Sequence, residues 1–225
     1  MTVCIAALYD SGKGCVLVSD QMTTAHFPIG YEFENDEVEK IVQVNASISV
    51  YALIAGDVLF ANEVIEGVRK EIATQGTTVT SGIAELFRKS YQDARRQRII
   101  RNELEPRGLD LPTYYQNHKN ILPQIIQLID NAFKTYNPRV EFIVAGQGEA
   151  TCHIFTIMNP GDSICHNPIG YAAVGSGAPH AMYSLIESNY KKSLDKTKVK
   201  ELVEKAKQRS EVAPGVGKDT KVIVI

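Results

Sequence analysis

The chain has 225 residues, of which 44% are hydrophobic and 22% charged, a composition typical of globular rather than disordered proteins. Lys and Arg total 24 against 26 Asp and Glu, and the resulting charge of −2 gives no electrostatic case for nucleic acid or an anionic membrane as a partner. Because no window is apolar enough for a transmembrane helix and no signal-peptide pattern opens the chain, we expect a cytoplasmic protein.

The four cysteines have neither C-x-x-C spacing nor the density of a disulfide scaffold. Cys4, Cys15 and Cys152 lie in apolar, strand-like runs and are expected to be small core residues, whereas Cys165 lies in a loop-like stretch. The five histidines are scattered along the chain. We therefore predict no metal site and no cofactor.

The first sixty residues have the patterns of β-strands. Apolar runs at 2–9 and 15–19 flank a turn at 10–14 and predict a hairpin. After a polar stretch at 23–39, runs at 41–44 and 48–54 predict two further strands.

Helical periodicity follows. Apolar residues recur every four positions from Phe60 to Ile72, with Asp57 as the capping residue and a break at Gly76. A second helix is expected to begin at a Thr80 or Ser81 cap. Residues 105–120 contain two prolines and a glycine and are predicted to be a loop, and a third helix is predicted over about 121–136.

Strand patterns return at 140–145, 151–158 and 171–174, before two helices over about 179–190 and 197–209 and a last strand at 221–225. No linker or internal repeat divides the chain. This order predicts an α+β fold in a single domain over 1–225, with two facing sheets and helices outside them.

Common catalytic motifs are absent: the chain has no P-loop, dinucleotide-binding fingerprint, G-x-S-x-G elbow or H-E-x-x-H. A basic run, Arg95, Arg96 and Arg98, falls on the second predicted helix. Since the opposite face of that helix is apolar, we expect a solvated face or a subunit contact there rather than a nucleic-acid site.

Thr2 directly follows Met1, and its small side chain permits removal of that methionine. A free α-amine has a pKa of about 7.7–8.0 and accepts protons near neutral pH. One residue would then supply both a nucleophilic hydroxyl and its base.

Asp20 ends the second strand of the predicted hairpin and Lys40 leads into the third strand. An ammonium group beside Thr2 would favour the neutral amine and the developing alkoxide, although the same two residues could form an ordinary surface salt bridge.

Six segments carry a resemblance to one family. They are residues 2–6 (TVCIA), 17–24 (LVSDQMTT), 40–42 (KIV), 55–57 (AGD), 174–178 (VGSGA) and 217–225 (GKDTKVIVI). In this order they resemble the proteasome β-subunit and HslV peptidase family of N-terminal nucleophile hydrolases. The start, with Thr directly behind Met1, is more similar to HslV than to most proteasome β-subunits.

The resemblance implies a four-layer αββα sandwich and a threonine-type peptidase that forms an acyl-enzyme ester. It assigns catalytic roles to Thr2, Asp20, Lys40 and Ser176, the oxyanion hole to the Gly56 N–H, and binding of the substrate backbone to Thr24. It also implies peptides or unfolded proteins as substrates, self-association into rings, and possible delivery of substrate by an ATP-dependent unfoldase. No nucleic acid, membrane or cofactor is implied.

Three features depart from the family pattern. Ala213 and Val216 stand where proteasome β-subunits carry an Asp and a Ser, and the spacing between Asp20 and Lys40 is a few residues longer. The helical segment at about 80–137 is enlarged, with an insertion at about 105–137.

Two alternatives stay open: a non-catalytic scaffold subunit of the same fold, and an amidase that acts on small molecules. Retention of Met1 would block the amine and exclude catalysis of this kind.

Overall fold

A computed structural model describes residues 2–26, 32–35 and 39–225, with only the backbone described at 23–26 and 32–35. The strands are β1 (Cys4–Tyr9), β2 (Gly14–Asp20), β3 (Thr23–His26), β4 (Glu32–Asn35), β5 (Ile41–Gln43), β6 (Val50–Gly56), β7 (Val140–Gln147), β8 (Cys152–Met158), β9 (Asp162–Cys165), β10 (Tyr171–Val174) and β11 (Thr220–Val224). The α-helices are α1 (Val58–Gln75), α2 (Thr80–Ile99), α3 (Leu111–Gln116), α4 (Pro123–Thr135), α5 (Ala178–Glu187) and α6 (Lys196–Ser210). The predicted α+β class is confirmed.

Two antiparallel sheets form the centre of the described structure. One has the strand order β10-β1-β2-β11 and the other β5-β6-β7-β8-β9, while β3 and β4 pair as a separate hairpin. In the first sheet Cys4 is opposite both Ser19 and Val174. The start of β1, the end of β2 and the end of β10 therefore lie at one edge of that sheet.

Both sheets are covered on both faces, because alternate residues of a strand point to opposite sides. On β2, Leu17 packs between the two sheets whereas Val16 and Val18 pack toward α5 and α6. On β7, Ile143 packs between the sheets and Val144 packs toward α1 and α2. This double burial explains why these strands appear in the sequence as continuous apolar runs.

The predicted limits of α1 are confirmed. The Asp57 carboxylate accepts hydrogen bonds from the backbone N–H groups of Leu59 and Phe60 at 2.9 and 3.1 Å, and Gly76 ends the helix with φ of +67°. The predicted cap of α2 is wrong, since Val79 occupies the cap position. The Thr80 hydroxyl instead donates to the Gln147 carbonyl at 2.6 Å and so fixes the helix to β7.

The loop predicted over 105–120 is partly helical. Asp110 caps α3 by accepting from Thr113 N, and Pro112 lies in the first turn, where its missing N–H costs no intrahelical bond. Tyr114 of α3 packs with Leu104, which precedes this segment, and with Ile129 of α4, and the three form a small apolar core of their own.

Two strand regions depart from the sequence prediction. The stretch at 23–39, predicted to be a polar excursion, contains the hairpin of β3 and β4, in which Thr23 is opposite Asn35. Cys165, expected in a loop, ends the edge strand β9 opposite Phe155 and is exposed. Both regions are too polar to show the alternation that predicts a half-buried strand. Cys4, Cys15 and Cys152 are buried, as predicted.

None of the helices in the described residues combines the length and apolar character needed to cross a membrane.

Candidate active site

Thr2 lies two residues before the start of β1 and is buried. Its hydroxyl donates a hydrogen bond to Asp20 Oδ1 and accepts one from Lys40 Nζ. The next backbone N–H, that of Val3, donates to the same Asp20 oxygen at 2.9 Å. The hydroxyl is therefore in contact with one anion and one cation at once.

Asp20, the last residue of β2, is completely buried. Both of its oxygens lie 2.9 Å from Lys40 Nζ, and Oδ2 also accepts from the Gly217 N–H at 3.0 Å. Backbone donors and an ammonium group thus surround the carboxylate and offset the cost of burying its charge.

Lys40 is 5% exposed and immediately precedes β5. Its carbonyl accepts from Ile54 N at 2.9 Å, which holds the residue beside β6, and its ammonium group also contacts the Met22 carbonyl. The ion pair predicted from the sequence exists, and it is buried at Thr2 rather than on the surface.

Ser176 lies in the Gly175–Ser176–Gly177 turn that follows β10. The Thr2 backbone nitrogen donates to Ser176 Oγ at 3.2 Å, and the Thr2 carbonyl accepts from Gly177 N at 3.1 Å. Gly175 has φ of +91°, and a Cβ there would lie 2.4 Å from the Thr2 carbonyl oxygen. Only glycine permits this approach of the turn to Thr2.

A cavity of about 520 Å³ opens at Thr2 and is lined also by Gly56 and Ser176, a volume in the range of small-ligand sites. Gly56, at the end of β6, has φ of +112°, and a Cβ there would lie 1.9 Å from the Arg139 carbonyl oxygen. Thr24, the predicted substrate-binding residue, belongs to β3, but its side chain lies outside the described residues. Met1 also lies outside them.

Sequence reasoning missed Glu141, which lines the same cavity. Its Oε2 accepts from the Gly175 N–H at 3.0 Å, so a side chain of β7 holds the turn that contacts Thr2. The available signal was one charged residue inside the apolar run of β7.

Cys4 lies two residues after the candidate nucleophile. Burial raises the pKa of its thiol to about 12, and the thiol contacts the Ile54 carbonyl at 3.3 Å. Because the thiolate is the reactive form of cysteine, Cys4 does not compete with Thr2 as a nucleophile near neutral pH.

Ala213 and Val216, which depart from the family pattern, pack in the apolar cluster beneath α6 together with Val3. The N–H of the next residue, Gly217, donates to Asp20. This loop therefore contributes a backbone donor to the site, through Gly217, while the side chains of Ala213 and Val216 make apolar contacts.

The solvated face predicted for the basic run is wrong for Arg95. Arg95 is 8% exposed and donates to the carbonyls of Phe133 and Tyr136, at 2.6 and 3.0 Å, and to Asn159 Oδ1 at 3.1 Å. It thereby connects α2 to the end of α4 and to the residue after β8. Only part of the run fits the predicted solvated face, with Arg96 exposed beside Asp93.

No family model matches this chain, and no curated protein matches it significantly. No group of three or more His, Cys, Asp or Glu side chains within residues 2–26, 32–35 and 39–225 is placed to hold a metal ion.

Proposed function

We propose that this protein is an N-terminal threonine hydrolase that cleaves peptide bonds after removal of Met1. One observation carries the proposal: the Thr2 hydroxyl contacts both Lys40 and Asp20 at the end of a cavity that can admit a substrate. A scaffold subunit has no need of a buried ion pair aimed at a hydroxyl group, and such a pair is costly to keep for stability alone.

The fold proposal is the four-layer αββα sandwich of N-terminal nucleophile hydrolases in the proteasome β-subunit and HslV family. Its support is the succession of apolar clusters, one between α1, α2 and the five-stranded sheet, one between the sheets, and one between the four-stranded sheet and α5, α6. Ring assembly, protein substrates and an ATP-dependent unfoldase partner rest on the resemblance alone.

Removal of Met1 converts the Thr2 nitrogen from an amide into an amine. The Thr2 oxygen then attacks the substrate carbonyl carbon, and its proton passes to this amine, directly or through one water. Lys40 stabilises the alkoxide as it forms and, by like-charge repulsion, favours the neutral amine. Asp20 holds the Lys40 ammonium group in place.

The tetrahedral oxyanion is assigned to the Gly56 N–H, a donor of the kind whose loss costs about 10²–10³ in rate in other acyl-transfer enzymes. The carbon–nitrogen bond of the substrate breaks, and the leaving amine takes the proton from the Thr2 amine. Water, deprotonated by the same amine, then attacks the acyl-Thr2 ester, releases the acid and restores the hydroxyl. Ser176 keeps the amine oriented in both halves of the reaction.

The test compares two proteins released in vitro from a cleavable fusion, one beginning at Thr2 and one at Met1. Hydrolysis of a set of fluorogenic peptides is measured for both, with Thr2→Ala and Thr2→Ser introduced into the first. We expect activity in the Thr2-first protein and in its Thr2→Ser variant, and none in the other two. No hydrolysis by the folded Thr2-first protein would contradict the proposal and favour the scaffold alternative.

A further inference from the structure

Arg139 stands at the wall of the cavity that Thr2 lines. It is exposed, and within the described part of the chain its guanidinium group pairs with no carboxylate. Its backbone has φ of +57°, a left-handed conformation uncommon for a residue other than glycine or asparagine. Residues in such strained conformations are concentrated at active sites and ligand-binding sites.

Two asparagines of the same wall, Asn137 and Asn159, have their side-chain oxygens occupied by the protein. Asn137 Oδ1 accepts from the Arg139 N–H at 2.8 Å, and Asn159 Oδ1 accepts from Arg95 Nε at 3.1 Å. The amide nitrogens of both side chains make no hydrogen bond to another described residue, and amide nitrogens are donors. The described lining of this wall therefore includes one basic residue and two asparagines whose side-chain oxygens are already engaged.

Glu141 is the one acidic group among the described residues that line the cavity. Its Oε2 is already engaged by the Gly175 N–H beside Thr2. Its charge is thereby directed to the turn at the nucleophile, whereas the Arg139 guanidinium group has no such partner among the residues that the structure describes.

We propose that this cavity binds a carboxylate that the substrate carries next to the scissile amide, with Arg139 as the main contact. The inference rests on the proposed function and names the substrate class for it. Arginine forms paired, charge-assisted hydrogen bonds with a carboxylate, and the asparagine amides add neutral ones. A peptide can supply this group as an Asp or Glu side chain or as its C-terminal carboxylate.

Binding is measured on the Thr2→Ala variant of the Thr2-first protein, so that turnover plays no part. Fluorescence anisotropy compares three labelled peptides of one length: an amidated peptide with a central Glu, its Gln counterpart, and the Gln peptide with a free C-terminus. We expect one of the two extra carboxylates to tighten binding at least about ten-fold over the amidated Gln peptide. Equal affinity for all three peptides would overturn the inference.

The substitution Arg139→Asn removes the charge while keeping a residue that tolerates a left-handed backbone. We expect it to abolish the preference, Arg139→Lys to restore part of it, and Arg107→Gln, at an exposed arginine paired with Glu103, to leave it unchanged. Circular dichroism checks that each variant is folded. A preference that survives in folded Arg139→Asn would also overturn the inference.

The two proposals fail separately. Hydrolysis by the Thr2-first protein without any preference for a carboxylate would leave the proposed function standing and refute the substrate class. Carboxylate-dependent binding without hydrolysis would refute the proposed function and leave the carboxylate-binding site standing.

Discussion

Lys40, which is 5% exposed, and Asp20, which is completely buried, place two opposite charges in contact with one hydroxyl. Burying such a pair costs several kcal/mol per ion, and replacement by apolar residues of similar size is often neutral for stability. The pair is therefore better explained by what it does to Thr2 than by what it adds to the fold.

Removing only one charge of the Lys40–Asp20 pair should destabilise the protein. We expect Lys40→Met to lower the free energy of unfolding by about 3–5 kcal/mol, because Asp20 would stay buried without its cation. The double variant Asp20→Asn, Lys40→Met should lose less, since neither charge remains, and both proteins should be inactive. Urea denaturation gives the two free energies. A single variant as stable as the wild type would mean that Asp20 is not confined as described.

Arg95 and Arg96 are neighbours with opposite surroundings and make a matched pair. Arg95→Met should destabilise the protein by about 2–3 kcal/mol, because it removes charge-assisted hydrogen bonds to two carbonyls and to Asn159. Arg96→Met removes an exposed pair with Asp93 and should cost less than about 1 kcal/mol. Similar losses of thermal stability in the two variants would refute the structural role given to Arg95.

At the scale of elements, the site is assembled from the ends of strands. Thr2 precedes β1, Asp20 ends β2 and Lys40 precedes β5, while Gly56 ends β6. The ends of paired strands meet at the edge of a sheet, and the two sheets face each other. Thr2 and Ser176, which are 174 positions apart in the sequence, are thereby in hydrogen-bond contact.

The turn after β10 gives a test at this scale. Gly175 and Gly76 both have positive φ, but a Cβ at Gly175 would collide with Thr2, whereas one at Gly76 would meet nothing within 4 Å. We expect Gly76→Ala to cost about 1 kcal/mol from backbone strain, and Gly175→Ala about 3 kcal/mol together with most of the activity. Chemical denaturation and peptide hydrolysis measure the two effects. Equal stability losses would show that the turn does not press against Thr2.

Much of this arrangement could be predicted from local patterns. The run, turn and run at 2–19 predicted the β1–β2 hairpin, and that hairpin alone brings Asp20 to Thr2. The pairing of β3 with β4 could not be predicted, since neither strand has an apolar face in the sequence. The roles of Glu141 and Arg139 could not be predicted for another reason. Glu141 contacts Gly175 and Arg139 lies beside Gly56, and these contacts join parts of the chain that are distant in the sequence. No local pattern encodes such contacts.

At the scale of the whole molecule, the insertion predicted at about 105–137 has a small apolar core of its own. Asn137, at the end of this segment, and Arg139 both line the cavity. Arg95 connects the last turn of α4 to Asn159, the second asparagine of the cavity wall. The segment that was predicted to be an insertion is therefore connected to the wall for which a ligand has been inferred.

The burial of the cysteines predicts how the folded molecule reacts with thiol reagents. Burial raises the pKa of Cys4, Cys15 and Cys152, and Cys165 alone is exposed. Titration with an aromatic disulfide at pH 8 should modify one thiol in the native protein and four in urea, since the thiolate is the reactive form. Native Cys165→Ser should not react. Rapid reaction of a second thiol in the native wild type would contradict the packing described here.

The proposed mechanism depends above all on Thr2 being a nucleophile with a free amine. The most direct measurement treats the Thr2-first protein with peptide epoxyketones, including one with an acidic side chain, and locates the adduct by peptide mass spectrometry. Such a probe has two electrophilic carbons, so the proposed mechanism predicts one adduct that joins the oxygen and the nitrogen of Thr2. It predicts none in Thr2→Ala or in the protein that retains Met1. A folded Thr2-first protein that stays unmodified by every probe, or an adduct on another residue, would contradict it.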